Sequence, residues 1–279
     1  MKPIVIYHKN CADGVAAAWC FWNKFKDSME YYEGVYGNTT PDITDRDVYL
    51  VDFSYKRDVV ETICKFANNV ILIDHHISAL EDLWDLPAKY DNFSLANSTK
   101  KHSGARLAWD YVKSITKHDE VRPRLLNHVE DRDLWKFELQ YTREIMMAVF
   151  SYPLTIEMFD ELQKYDIQDL IAEGRTLLRK QKQDIDLLIK TTERSMEIGD
   201  VLVKAYNVNY FFASDLGDIQ SVDQPFIATY YDTKNSRVFS LRSKDTGFDV
   251  SKIAAIYGGG GHRNAAGFKV DRSHPLACC

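Results

Sequence analysis

Residues 70–76 read Val-Ile-Leu-Ile-Asp-His-His, an apolar run that ends in one acid and two imidazoles. The run has the length and β-branched content of a buried strand, so Asp74, His75 and His76 are expected to emerge where strand becomes loop. Two earlier segments repeat the arrangement. Ile4-Val5-Ile6-Tyr7 leads into His8 and then Asp13-Gly14, and Val48-Tyr49-Leu50-Val51 leads into Asp52. Continuous apolar strands separated by helix-like stretches imply parallel pairing with both faces covered, and in such sheets sites form at the carboxyl ends of the strands. All three strands are therefore expected to deliver polar side chains to one edge.

The alternation of strand and amphipathic helix runs to about residue 135, with helices expected over 15–26, 56–68 and 103–115, the last capped by Ser103. Between residues 154 and 195 strand signals vanish. Leu170, Ile171, Leu177, Leu178, Ile185, Leu188 and Ile189 recur at helical spacing among Lys, Gln and Asp, which predicts one long or two short helices over 166–194. Short strands return at 201–206, 226–231 and 237–242, followed by a helix over 249–257 and the run Gly258-Gly259-Gly260-Gly261-His262. The expected fold class is α/β: an N-terminal parallel-sheet domain over 1–150, a helical linker over 151–196 and a smaller α/β domain over 197–279.

Composition narrows the class of molecule. With 279 residues, 45% hydrophobic and 27% charged, the chain reads as an ordinary globular protein. No apolar stretch approaches the ~20 residues that span a bilayer. Met1-Lys2-Pro3 enters a strand without the marks of a secretory signal, and cysteines at 11, 20, 64, 278 and 279 form no paired framework, so a cytoplasmic, reducing setting is expected. Cys278-Cys279 is expected to be a disordered tail. A formal net charge of −6 disfavours an extended nucleic-acid groove and leaves small or short anionic substrates. The linking helix could pair two copies as a homodimer, and its charge pattern equally suits a solvated face.

The chemistry of the first domain points to bound cations. Asp and neutral His together suit Mn²⁺, Zn²⁺ or Fe²⁺, and a carboxylate can bridge two ions about 3.5–4 Å apart. The candidates are His8, Asp13, Asp52, Asp74, His75, His76, Asp131 and Asp133, enough for two cations, with Trp135 able to wall the site or stack on a base. Taken singly, His8 reads as structural, Asp131-Arg132-Asp133 as a solvated charge run and Asp52 as a helix cap; four strand or loop ends carrying ligand-type residues together do not. In the second domain, Gly258 to Gly261 would let a phosphate lie against backbone amides, with His262 and Arg263 adding donors and Asn264-Ala265-Ala266-Gly267 turning close by. Arg242 could contact a phosphate in bidentate fashion, whereas Lys244 reads as a surface charge. A flexible loop or a helix C-cap is the plain alternative for the glycine run.

The order His8…Asp13-Gly14, Val51-Asp52, Ile73-Asp74-His75-His76, Asp131-Arg132-Asp133 and Gly258 to His262 resembles the DHH/DHHA1 phosphoesterase superfamily over roughly residues 4–270. The resemblance implies an N-terminal domain holding two Mn²⁺-type ions, a C-terminal substrate-binding domain and an active site in the cleft between them. It also implies that Asp13, Asp52, His75 and one of Asp131 or Asp133, with a slight lean to Asp131, ligate one ion, and that Asp52 bridges to a second held by His8. Asp74 and His76 are implied as supports of the catalytic site. One departure stands out: many relatives carry Asp two residues before the position of Asp13, and this chain carries Cys11.

Superfamily members include nanoRNase-type oligoribonucleases, RecJ-related exonucleases, and phosphatases and phosphodiesterases of small nucleotides. The resemblance therefore implies a metal-dependent phosphodiesterase, an exonuclease that cuts short single-stranded RNA or DNA to mononucleotides. The alternatives are an enzyme acting on 3′-phosphoadenosine 5′-phosphate or cyclic dinucleotides, and a nucleotide-binding regulatory module with a degenerate metal site, which Cys11 favours.

Overall fold

A computed structural model describes residues 1–96, 98–99, 101–117 and 119–278. The chain divides into two compact units, Met1–Leu178 and Arg179–Cys279, with the boundary inside a single 26-residue helix. The first unit runs β1 (Ile4–His8), α1 (Ala12–Phe25), β2 (Glu30–Gly34), β3 (Asp47–Val51), α2 (Arg57–Phe66), β4 (Asn69–Ile73), α3 (Ile77–Leu83), α4 (Leu86–Lys89) and β5 (Phe93–Leu95). It continues through α5 (Gly104–Thr116), α6 (Arg124–Asp133), α7 (Thr142–Ser151), α8 (Ile156–Leu162) and the start of α9 (Ile167–Thr192).

The five strands form one sheet in the order β2-β1-β3-β4-β5, all parallel. Alternation along β1 shows why its sequence is apolar throughout. Val5 and Tyr7 face a core shared with α1, α5, α6, α7 and α8, while Ile4 and Ile6 face a second core with α2 and the Leu83–Leu86 turn. Each such side chain contributes roughly 1.5–3 kcal/mol when fully buried. The chain leaves β1 to pair β2 on one side and β3 on the other, so strand order reverses between β1 and β3. In sheets of this topology sites form at the carboxyl ends at that point, where His8 ends β1 and Asp52 follows β3.

The strands read from the sequence are β1, β3 and β4; β2 and β5 complete the sheet at its edges. Their sequences, Glu-Tyr-Tyr-Glu-Gly and Phe-Ser-Leu, are short and partly polar because an edge strand is only half covered. Ser103 caps α5 as expected, its hydroxyl accepting from Arg106 N–H at 3.3 Å.

The second unit contains the rest of α9, then β6 (Glu193–Ile198), β7 (Val201–Asn207), α10 (Ala213–Gln220), β8 (Ile227–Asp232), β9 (Ser236–Arg242), α11 (Val250–Ile256), β10 (Gly260–His262) and β11 (Ala265–Asp271). These strands form a mixed sheet in the order β10-β11-β9-β8-β7-β6, with the β7–β8 pair parallel and the other described pairs antiparallel. Its core centres on Phe226, Tyr230, Phe239, Leu241 and Phe268.

Two expectations are corrected here. The segment 264–267 is not a turn: Ala265 to Gly267 begin β11, and the reversal is confined to Arg263-Asn264. The C-terminal segment is not a disordered tail as far as Cys278, because Pro275–Ala277 form a 3-10 turn that buries Leu276 and Ala277; Cys279 lies outside the described residues.

Candidate metal centre

Asp52 follows the last residue of β3, and its N–H still pairs with Ile73 O at 3.0 Å. Its backbone then takes φ 49°, a left-handed conformation costly for a residue with a Cβ and concentrated at functional sites. The side chain is 1% exposed. Oδ2 accepts from the Cys11 thiol at 3.4 Å, while Oδ1 is buried and accepts no aligned hydrogen bond although His75 Nε2 lies 3.2 Å away.

His75 is the hub. Its Nε2 stands 3.2 Å from Asp52 Oδ1, 3.6 Å from Asp133 Oδ2 and 3.9 Å from Asp13 Oδ2. Asp74 organises the turn that presents it. Asp74 Oδ1 accepts from the His75 and His76 N–H groups at 2.8 and 3.3 Å and meets His76 Nδ1 at 2.7 Å, and Asp74 Oδ2 is buried without a partner.

Asp13 sits in the first turn of α1 and accepts from Gly104 N–H at 2.6 Å and Ala105 N–H at 3.1 Å. A carboxylate thereby lies at the start of two helices, where backbone donors and the macrodipole favour negative charge. A Cβ at Gly104 would stand 2.4 Å from Asp52 Cβ and 2.9 Å from Asp13 Oδ2, so only glycine lets α5 close on both acids. Sequence reasoning recognised Ser103 as a cap but not this use of Gly104.

Among the described residues, three groups of side chains bring ligand atoms within 4.8 Å of one another: Asp13, His75 and Asp133; His8, Cys11 and Asp52; and Asp52, Asp74, His75 and His76. Asp133 belongs to this cluster. Asp131, the acid slightly favoured from sequence, points its carboxylate elsewhere: it accepts from Glu138 and Leu139 N–H at 2.9 and 3.1 Å and from the Thr142 hydroxyl at 2.5 Å. Trp135, expected from sequence to wall the site or stack on a base, carries the Arg132 guanidinium 4.1 Å from its ring centre.

The electrostatics suit cations. Burial, together with the charges of Asp133 and Asp52, pushes the Asp13 carboxyl well above its usual range, and burial raises Asp133 to about 6. Burial acts the same way on Asp52, but contacts with His75, His76 and His8 outweigh it and hold Asp52 down to about 2. Burial lowers His8, leaving a neutral imidazole, whereas the surrounding carboxylates overcome burial at His75 and raise it to about 10. Three acids crowd one imidazole, Asp13 and Asp52 buried and Asp133 partly exposed, a surplus of negative charge that divalent ions neutralise. The donor set and the unpartnered buried oxygens of Asp52 and Asp74 fit such ions.

In the second unit the glycines divide between tasks. Gly258, with φ 74°, follows α11, and the Gly258 and Gly259 N–H groups donate to Ala255 O and Ala254 O, so they cap the helix. Gly259 and Gly261 lie so close to β11 that a Cβ would meet Gly267 O at 2.1 Å and Ala265 O at 2.5 Å. Gly260 to His262 pair with Ala265 to Gly267. Arg242 donates to Leu241 O and Ser214 Oγ, and Arg263 donates to Asp245 O and Gly247 O.

No family model matches the chain. It is 30% identical over 290 residues to the uncharacterized protein R106 of Acanthamoeba polyphaga mimivirus, covering 95% of this chain and 66% of that one. It is 25% identical over 252 residues to the oligoribonuclease NrnB of Bacillus subtilis, covering 80% and 59%. The chain thus spans about three fifths to two thirds of the length of these curated relatives. Among solved structures, an exopolyphosphatase-related protein from Bacteroides fragilis aligns with a TM-score of 0.56 at 15% identity, covering 99% of this chain and 89% of that one. The pGpG-specific phosphodiesterase PggH of Vibrio cholerae aligns with a TM-score of 0.50 at 14% identity, covering 97% and 94%. Both structural likenesses are of fold. No described helix is long and apolar enough to cross a membrane.

Proposed function

We propose that this chain, which belongs to the DHH/DHHA1 phosphoesterase superfamily, is a divalent-metal-dependent phosphodiesterase that removes nucleotides from short single-stranded oligonucleotides. The observation that carries the reading is the sharing of Asp52 and His75 among three adjacent ligand groups, at the carboxyl ends of β1, β3 and β4. From it we read two neighbouring cation positions. Asp13, His75 and Asp133 hold one, His8 and Cys11 the other, and Asp52 belongs to both, with Mn²⁺ the expected ion.

Cations bound there supply water activation near neutral pH and charge neutralisation on the phosphoryl oxygens. The protein's own part is positional. Asp13 is fixed by the α5 amides and Asp52 by its strained backbone, so neither carboxylate must reorganise when substrate enters. His76, oriented by Asp74, offers a ring donor to the charge that grows on the phosphoryl group. His262, Arg263, Arg242, Gly260 and Gly261 are assigned to holding the nucleotide. Gly258 and Gly259 have a smaller share, because their amides already cap α11.

A relative named an oligoribonuclease and a fold neighbour named a pGpG-specific phosphodiesterase both favour short substrates, as does the net charge of −6. The test is Mn²⁺-dependent hydrolysis of 5′-labelled RNA as dinucleotide, pentanucleotide and longer oligomer, alongside 3′-phosphoadenosine 5′-phosphate and a cyclic dinucleotide. Stepwise shortening that is fastest for the shortest RNA is expected. Turnover confined to the two small nucleotides would replace this substrate assignment, and no turnover of any of them would overturn the enzymatic reading.

A further inference from the structure

Helix α1 begins at a residue unsuited to starting a helix. Cys11, the N-cap, is extended (φ −115°, ψ 127°) and makes no side-chain cap hydrogen bond, although Asp or Ser there would accept one from the first turn. The thiol turns instead to Asp52 Oδ2, 3.4 Å away. A His8 ring nitrogen, the Cys11 sulfur and an Asp52 oxygen lie within 4.8 Å of one another. Independently of the cysteine, the Asp52 carboxylate in that group is 1% exposed, and Oδ1, the oxygen on its His75 side, accepts no aligned hydrogen bond. A buried acceptor left unmatched is unfavourable, and a cation held by this carboxylate would satisfy it.

We propose that Cys11 ligates through sulfur and that the position formed by His8, Cys11 and Asp52 selects thiophilic divalent ions, Zn²⁺, Co²⁺ or Cd²⁺, over Mn²⁺. The inference rests on the metal-centre reading and deepens it: the two cation positions differ in kind. One is built from carboxylates and imidazole, which suit Mn²⁺; the other adds a soft donor, and softness of the ligand set is a main source of metal selectivity. Binding converts the thiol to a thiolate and releases its proton to solvent. Cys11 thereby stands where a harder carboxylate would both cap the helix and hold a harder ion.

The experiment is a Co²⁺ titration of the full chain after chelator treatment, read in two spectral regions. Visible ligand-field absorption reports that cobalt is bound at all, and near-ultraviolet sulfur-to-cobalt charge transfer reports a thiolate ligand. The wild type is expected to show both. Cys11→Ser and Cys11→Asp are expected to lose the charge-transfer band, and Cys11→Asp to keep the ligand-field bands and to release cobalt at a lower excess of Mn²⁺. Ligand-field absorption without charge transfer in the wild type would overturn the sulfur assignment and leave the metal centre standing. Charge transfer that persists in Cys11→Ser belongs to another cysteine and overturns it too. Absence of both signals would remove the metal centre itself.

Discussion

Replacing Gly104 by alanine sets helix propensity against the packing of the site. Gly104 is the first residue of α5, and on propensity alone alanine would stabilise the helix by up to about 1 kcal/mol. The structure predicts the opposite sign. The added carbon would lie 2.4 Å from Asp52 Cβ, 2.8 Å from Asp52 Oδ1 and 2.9 Å from Asp13 Oδ2, against an ordinary carbon–carbon separation of about 3.5–4.0 Å. Asp52 cannot retreat easily, since its N–H is tied to Ile73 O and its backbone is already at φ 49°. The start of α5 must therefore withdraw, stretching the 2.6 Å hydrogen bond from Gly104 N–H to Asp13. Overpacking of this kind costs about 1–3 kcal/mol, so even after the full propensity gain Gly104→Ala should be less stable by up to about 2 kcal/mol.

Urea unfolding in the presence of chelator measures this loss, which should appear in the midpoint with the slope unchanged. The same melts with Mn²⁺ report the site. An ion at a hundred times its dissociation constant stabilises the native state by about 2.7 kcal/mol, and a variant with Asp13 and Asp52 pushed apart should lose most of that increment. Gly260→Ala, whose new carbon would meet nothing within 4 Å, is the control. A Gly104→Ala protein as stable as the wild type, with its full Mn²⁺ increment intact, would refute the claim that α5 closes directly on the two acids.

Asp52→Asn should abolish turnover with any divalent ion, checked by oligonucleotide hydrolysis, and should also abolish the cation-induced rise in the unfolding midpoint. Asp131→Ala and Asp133→Ala should separate by assay. Asp131→Ala strips the acceptor from two N–H groups and a hydroxyl and should cost about 1–3 kcal/mol in a urea melt while sparing Mn²⁺ affinity measured by calorimetry. Asp133→Ala should lose Mn²⁺ binding yet cost the chelator-treated protein little, because it removes one of three like charges gathered around His75. In the second unit, Arg237 and Arg272 depress Asp232 to about 2. Its folded-state value lies below the unfolded one, so its contribution is present above pH ~4 and lost as pH falls toward 2. The stability difference between wild type and Asp232→Asn should shrink over that interval in acid melts.

The parts of the fold legible in the sequence were those with a strong local pattern. β1, β3 and β4 are buried on both faces, so their sequences are apolar without interruption, and the acid or histidine ending each was conspicuous for that reason. β2 and β5 were not legible because an edge strand of mixed polarity gives no clean period. β6 was hidden for a different reason: Glu-Arg-Ser-Met-Glu-Ile continues the polar texture of α9, and its partner β7 makes it a strand. Asp131 and Asp133 could not be told apart from sequence because both sit in the last turn of α6, and only the course of residues 134–142 turns Glu138, Leu139 and Thr142 back onto Asp131. The glycine run announced an unusual backbone, but whether an amide faces a ligand or caps a helix depends on where β11 returns.

Asp52 shows why the metal reading explains more than any structural role. A residue that merely capped α2 or satisfied a backbone group would not need a left-handed backbone, since an extended Asp or Ser does that work without strain of about 1–3 kcal/mol. Asp52 instead combines three unfavourable features: φ 49°, a carboxylate 1% exposed, and an oxygen with no hydrogen bond. Its neighbours compound the cost, because Asp13 and Asp133 crowd the same imidazole and are themselves pushed toward protonation. Packing gains elsewhere in the first unit can offset such costs but give no reason for them. A single addition, positive charge placed among His8, Cys11, Asp13, Asp52, His75 and Asp133, relieves the repulsion and supplies the missing partner together. The strained turn after β3 is what puts one carboxylate within reach of both halves of that group, and a more comfortable backbone there would leave two separate clusters in place of a shared one.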